Sequence, residues 1–361
     1  MAGPSSGTES VVAEFTIPYR RYLDAMGKPV GELPAFAKDR ETMIPLYRTM
    51  MLTRIFDTKA IALQRTGQLG TYPPCAGEEA VGVGYASAMT EHDVMAITYR
   101  EQGAQIWRGV TLTELLLYWG GDERGCNYSG PREDLPVCVP IATQAPHAVG
   151  IAAAFKLRHE KRVAVCALGD GATSKGDFYE AVNLAGAWHL PVVFIVINNQ
   201  WAISMPRAKQ TAAQTLAQKA IAGGIPGIQV DGNDVIAVRA VTGEAIARAR
   251  EGGGPALIEA VTYRMGDHTT ADDATRYRRS EDVSAAWKLD PVLRLRTYLG
   301  DQGWWTKEDE EKLVAECRAK VDAAVAEYLA IPPPSPVSMF DHLFETLPKS
   351  LAWQRKKLAG G

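Results

Sequence analysis

The sequence predicts an α/β fold, a doubly wound and mainly parallel sheet flanked by helices, with a helical C-terminal extension. Three observations predict it. Residues 163–168 (VAVCAL) and 192–197 (VVFIVI) are short, unbroken apolar runs of β type, as expected for strands buried on both faces of a parallel sheet. The segment between them, 176–189, has helical length and is closed by Leu190-Pro191. Downstream, strand-like and helix-like segments continue to alternate, which is the pattern of βαβ units.

Taken in order, residues 1–37 are rich in Gly, Pro and Ser without helical periodicity and read as an arm lying on the body or on a partner. The chain divides into this arm (1–39), an α/β domain (40–285) and a helical C-terminal region (286–361). From Arg40, the apolar positions Ile44, Leu46, Tyr47, Met50, Met51, Ile55 and Ile61 follow helical spacing up to the Gly67–Gly70 break. The Met residues belong to that apolar stripe and are not metal ligands. Residues 77–85 (GEEAVGVGY) predict a helix whose small residues permit close packing. Their G-x-G is not a dinucleotide fingerprint, because no strand precedes it and the third glycine is missing. Residues 94–97 predict a strand ending at Thr98-Tyr99-Arg100, and 120–140, rich in Gly, Pro and charge, a long loop of the kind that lines an active site. A helix over 142–159, the two strands already named, a helix over 211–222, a strand over 228–230, a helix over 234–251 and a strand over 256–262 complete the domain. Beyond Asp290 the chain turns helical and charged, with Trp304-Trp305 and a Pro332–Pro334 linker before a last segment, 339–358.

At 361 residues with 46% hydrophobic content the chain can bury a sizeable core. A net charge of −3 with scattered Lys and Arg argues against nucleic acid as a partner. No apolar run approaches membrane-spanning length and residues 1–14 lack a basic and apolar leader, so the expectation is a cytoplasmic protein without membrane attachment. Five cysteines, odd in number and widely spaced, predict reduced thiols, with Cys166 inside a core strand.

The chemistry-bearing motifs sit at the carboxyl ends of the two central strands, where open α/β sheets bind ligands. Gly169-Asp170-Gly171 ends the first and Asn198-Asn199 the second. A carboxylate and an amide oxygen are hard ligands suited to Mg²⁺, which usually shares its shell with phosphates. Gly171 lets the backbone approach a diphosphate, and the amides from Ala172 into the following helix can face the same anion. Either motif alone is also explained as a tight strand-to-helix turn or a polar strand end. Residues 264–279 leave the last strand toward the same edge and carry almost no apolar residue, so His268 and Arg264 are candidates to reach a diphosphate or a reacting carbon. Arg100, leaving a third strand, is the better phosphate clamp.

The spacing of GDG and NN resembles the thiamin diphosphate signature, in which the Asp, the second Asn and a carbonyl two residues further on hold a divalent metal. By that resemblance the metal ligands are Asp170, Asn199 and the Trp201 carbonyl, and the fold is the thiamin diphosphate-binding fold. The likeness extends over most of the chain to the α subunit of the two-subunit E1 component of 2-oxo acid dehydrogenase complexes. It is carried by Gly77-Glu-Glu with Tyr99-Arg100, by 169–204, by 211–232 and by 266–278. It implies that Tyr99, Arg100 and His268 contact the cofactor, that His268 also serves acyl transfer to lipoamide, and that Ile141 supports the cofactor's bent shape. It further implies that Asp177 and Glu180, one helical turn apart, belong to an acidic path between two active sites. The implied reaction is decarboxylation of a 2-oxo acid with acyl transfer to E2. Pyruvate is the expected substrate, since 211–232 resembles pyruvate dehydrogenase α subunits of bacilli. A branched-chain 2-oxo acid and acetoin are alternatives, as are a scaffold that kept only the fold and a nicotinamide dehydrogenase, the last disfavoured by the missing fingerprint. The implied partners are a β subunit in an α2β2 assembly and the lipoyl and subunit-binding domains of E2. The carboxylate that activates the cofactor's aminopyrimidine comes from the β subunit in that family, and no motif in this chain occupies that role. Departures are Thr71, often aromatic in the family, Gln102, frequently His, Val139, commonly Ser in branched-chain members, and Ile197, commonly Arg there. Thr269 stands where animal enzymes carry a phosphorylated serine, and no such regulation is expected.

Overall fold

The computed structural model describes residues 9–360. Within the N-terminal arm, residues 1–8 lie outside the described part. Among the described residues there are eight strands: β1 (Tyr19–Arg20), β2 (Val94–Ala96), β3 (Ala164–Gly169), β4 (Val192–Asn198), β5 (Trp201–Ala202), β6 (Met205–Pro206), β7 (Gly227–Asp231) and β8 (Ala256–Val261). Six of them form one all-parallel sheet in the order β1-β7-β8-β4-β3-β2, and β5 and β6 pair as a small antiparallel hairpin. β3 and β4 are apolar up to their last residue because both sheet faces are covered. Val165, Ala167, Val193, Ile195 and Ile258 pack to one side with the helices Glu79–Ser87 and Val235–Arg250. Cys166, Leu168, Phe194 and Val196 pack to the other with Gln144–Leu157 and Gly176–Ala187. The alternation is the period-two placement of side chains along a strand. Truncating fully buried Phe194 to Ala would cost about 3–5 kcal/mol.

Two expectations change. The arm is not uniformly irregular: Tyr19–Arg20 extends the sheet beside β7, with Tyr19 opposite Gln229. It is fixed there by Asp234, whose Oδ2 accepts from the Tyr22 and Leu23 amides at 2.7 Å while Oδ1 caps the helix Val235–Arg250. The stretch 211–222 is an irregular segment followed by a 3-10 turn, Ala217–Gly223, and not a regular helix. Glu259 Oε2, completely buried within β8, takes the Ala217 amide at 2.9 Å and so draws this turn onto the sheet.

The helix Arg40–Arg65 begins at Asp39, whose carboxylate accepts from the Glu41 and Thr42 amides. The C-terminal helix Lys307–Ala330, opened by a Thr306–Asp309 capping box, lies along it. Arg48–Glu316 at 2.6 Å and Tyr47 Oη to Glu310 at 2.7 Å tie the two together. No helix among the described residues is long and apolar enough to cross a membrane. All five cysteines are free thiols, Cys166 among the fully buried residues.

Candidate functional site

Parallel pairing places Gly169 opposite Ile197, so β3 and β4 deliver Asp170 and Asn199 to the same sheet edge. Both line one cavity of about 700 Å³, and so do Gly169, Gly171, Ala172, Trp201, Tyr99, Arg100, Ile141 and His268. Asp170 opens a 3-10 turn, Asp170–Ser174, and is 2% exposed. Burial raises its carboxyl above the ordinary range, against hydrogen bonds from the Gly171 amide and the Gln210 side chain that lower it. A divalent cation would reverse that balance.

The two asparagines have different roles. Asn198 is used internally, its Nδ2 donating to Glu259 Oε1 at 2.6 Å. Asn199 faces the cavity; its Oδ1 accepts from the Trp201 amide at 3.1 Å and its Nδ2 donates to Glu78 Oε1 at 2.8 Å. The chain turns back through Gln200 and Ile203, both at positive φ, into the β5–β6 hairpin. That bend brings Trp201 to the cavity wall, its carbonyl 3.4 Å from Arg264 Nη1. Gly171 is a cradle that a side chain would fill: a Cβ built there meets Ala202 Cβ at 2.6 Å. A buried carboxylate, an amide oxygen, a main-chain carbonyl and a bare glycine turn together fit a diphosphate held through a hard cation.

Arg100 and His268 form a further part of the wall. Arg100, 6% exposed, donates Nη1 to the Pro74 carbonyl and Nη2 to the His268 carbonyl at 3.0 Å. The same Nη2 lies 3.2 Å from His268 Nδ1. Arginine has no acceptor, so His268 Nδ1 must be the bare nitrogen and Nε2 carries the proton. Burial, then Arg100 and Arg264, lower the imidazole to about 4, which keeps it neutral at pH 7. The loop is held in turn by Asp272, which accepts from the His268 amide at 2.9 Å, and by Arg278, which donates to the Gly266 carbonyl at 3.0 Å. Tyr99 adds its ring edge-on to His268, with centroids 6.0 Å apart.

Three sequence candidates lie elsewhere. Arg264 is fully buried and is not on the cavity wall; it donates to the Ile203 carbonyl and the Tyr277 hydroxyl, both at 2.9 Å, and so braces the β5–β6 hairpin from behind. Asp177, half-buried, and Glu180, exposed, lie on the helix Gly176–Ala187 and do not line the cavity, though Asp177 is 3.6 Å from Lys175, which does. Two acidic wall residues carried no role in the sequence: Glu78 and Glu101, 4% and 2% exposed. Burial pushes Glu78 to about 7, partly offset by Arg100 at 3.6 Å, and pushes Glu101 to about 8, with Glu78 adding to the shift. Glu101 Oε1 and Gln144 Oε1 are buried without a hydrogen-bond partner. The only signal was that Glu78 lies within the quoted Gly77-Glu-Glu and Glu101 directly after Tyr99-Arg100.

A family model described as Dehydrogenase E1 component matches residues 47–336. The chain belongs to that family. It is similar to the 3-methyl-2-oxobutanoate dehydrogenase subunit alpha of Mycobacterium tuberculosis, 50% identical over 278 residues that cover 77% of this chain and 76% of the relative. It is also similar to the pyruvate dehydrogenase E1 component subunit alpha of Staphylococcus aureus, 41% identical over 92% of this chain and 90% of the relative. With its counterpart in Acholeplasma laidlawii it shares 43% identity over 83% of this chain and 87% of the relative. The protein is therefore an E1 α subunit, an oxidoreductase of the 2-oxo acid dehydrogenase type in a thiamin diphosphate-dependent family that works with a β subunit. The scaffold and nicotinamide alternatives fall away.

Proposed function

We propose that this E1 α subunit acts on a 2-oxo acid with a short branched aliphatic side chain, using magnesium-held thiamin diphosphate. The observation that carries the substrate reading is the apolar part of the cavity wall, where Thr71 stands with Trp119, Val139 and Ile141. Threonine, where relatives often place an aromatic ring, leaves room for a branched chain. The name of the M. tuberculosis relative agrees with this. Pyruvate is the second reading, favoured by the S. aureus relative, which matches over a larger share of the chain, and by Val139 in place of the serine common in branched-chain members.

When bound, thiamin diphosphate supplies the carbanion chemistry that releases CO₂ from a 2-oxo acid. The residues of this chain bind, orient and move protons around it. Asp170, Asn199 Oδ1 and the Trp201 carbonyl would hold magnesium; Gly169, Gly171 and Ala172 line the turn that receives the diphosphate, and Arg100 is its clamp. Ile141 supports the cofactor from the wall, and Tyr99 packs against His268. His268, neutral with Nε2–H, can donate to an oxygen that gains negative charge and serve acyl transfer to the lipoyl group of E2. Arg264 acts one step removed, through the hairpin that carries Trp201. Asp177 and Glu180 contribute to an acidic path toward a second site. The β subunit supplies the carboxylate for the aminopyrimidine, since Glu78 is engaged by Asn199 and Arg100 and Glu101 Oε2 by the Arg100 amide. The assembly is α2β2, cytoplasmic, and engages the lipoyl and subunit-binding domains of E2.

Steady-state kinetics of the αβ assembly with 3-methyl-2-oxobutanoate, pyruvate and acetoin test the proposal. Filling an apolar pocket with additional methyl groups is worth roughly 10- to 200-fold in kcat/KM, so the branched substrate should lead by at least about 10-fold. A preference for pyruvate would select the second reading, and a preference for acetoin would overturn both.

A further inference from the structure

We infer that Glu78 is a positioning residue of the metal–diphosphate site: its carboxyl group holds the Asn199 side-chain amide so that the oxygen, and not the nitrogen, is presented to the metal. The inference rests on Asn199 Oδ1 being a magnesium ligand. An asparagine amide has two nearly isosteric ends, one donor and one acceptor, and its hydrogen-bond partners decide which end faces where. Here both partners agree. Nδ2 donates to Glu78 Oε1 at 2.8 Å, while Oδ1 accepts from the Trp201 amide at 3.1 Å. Turning the amide over would set Nδ2 against the Trp201 N–H, donor against donor, and Oδ1 against a carboxyl oxygen that can only accept when Glu78 is ionised, in a buried site.

Glu78 is well placed to impose that choice. It is 4% exposed, it precedes the buried helix Glu79–Ser87, and its Oε1 also lies 3.6 Å from Arg100 Nε. Arg100 is in turn anchored on the Pro74 and His268 carbonyls. One carboxyl oxygen thus connects the amide of the metal ligand with the clamp expected on the diphosphate. Partners of this kind, one shell behind a ligand, typically govern 10- to 100-fold in metal affinity.

The test is calorimetric titration of Mg²⁺ into the metal-free αβ assembly in saturating thiamin diphosphate, with melting of the ligand-free assembly as a measure of folding. Glu78→Gln keeps an acceptor oxygen at the same reach and should bind Mg²⁺ within about 3-fold of the parent, whereas Glu78→Met, similar in volume but without an acceptor, should bind about 10- to 100-fold more weakly. Glu78→Ala provides a second truncation if the Met variant does not assemble. Unchanged Mg²⁺ affinity in the truncations, or a Gln variant as weak as the Met variant, would overturn the inference. If the parent assembly binds thiamin diphosphate equally well without metal, the ligand assignment fails instead, and the two failures are distinguishable.

Discussion

Gly171→Ala is the sharpest single perturbation of the turn that receives the diphosphate. The added methyl would stand 2.6 Å from Ala202 Cβ, while ordinary carbon–carbon contact begins at about 3.5 Å, so roughly 1 Å of movement is required. Neither neighbour is a flexible side-chain end. Gly171 is fixed between Asp170 and Ala172 in the 3-10 turn, and Ala202 belongs to β5 next to Trp201. Whichever segment yields, a proposed metal ligand, Asp170 or Trp201, moves with it. Overpacking of this kind costs about 1–3 kcal/mol of stability, and displacement of a catalytic constellation by about 1 Å can cost on the order of 100-fold in rate. Calorimetry of the αβ assembly with thiamin diphosphate and Mg²⁺ should therefore show affinity reduced at least about 10-fold, with turnover falling further. The double variant Gly171→Ala/Ala202→Gly removes the opposing methyl and should recover most of both. Parent-like affinity in Gly171→Ala, or no recovery in the double variant, would refute the steric argument.

Other predictions follow from the same wall. Arg100→Lys keeps the charge but loses the planar fork that grips Pro74, His268 and the expected phosphate; each lost charged hydrogen bond is worth about 1.5–3 kcal/mol, so thiamin diphosphate affinity should fall roughly 10- to 100-fold, and a smaller change by calorimetry would contradict the clamp. Glu101, held neutral to about pH 8 by burial, retains its proton when folded while the unfolded chain releases it near 4.5, so its cost to stability grows as pH rises through that window. Glu101→Gln should raise the melting temperature more at pH 8.5 than at pH 5, and an equal gain at both would rule this out. His268, lowered to about 4 from 6.5, gives the opposite slope: its contribution is complete above pH 6.5 and is lost as pH falls toward 4. Imidazole NMR signals should thus show a neutral ring with Nε2–H at pH 6, and a ring half-protonated near 6.5 would contradict the burial and charge argument.

Much of the scaffold was legible because its strongest signals are local. VVFIVI and VAVCAL have no polar face to misplace, so parallel central strands follow directly, and with them the meeting of Asp170 and Asn199 at one edge. The β1 strand was not legible: Tyr19–Arg20 is two residues long and polar, and it is strand only because Asp234, more than two hundred residues later, takes the amides beside it. The expected helix at 211–222 has helical composition, but a buried Glu259 bonded to the Ala217 amide favours a tight turn against the sheet. The site divides in the same way. Arg100 after β2 and His268 in the loop after β8 both line the cavity, whereas Arg264, which leaves β8 toward the same edge, spends its guanidinium on the Ile203 carbonyl and Tyr277. Glu78 and Glu101 gain their character from long-range burial and from Arg100, which no spacing within the chain reveals.

The central claim is that this chain carries one part of an active site that a β subunit completes. The most direct measurement is CO₂ release from 3-methyl-2-oxobutanoate with thiamin diphosphate and Mg²⁺, for the purified α chain, for its β partner and for the reconstituted assembly. The account predicts turnover only in the reconstituted assembly, abolished by Asp170→Ala in the α chain. Robust cofactor-dependent turnover by the α chain alone would contradict it.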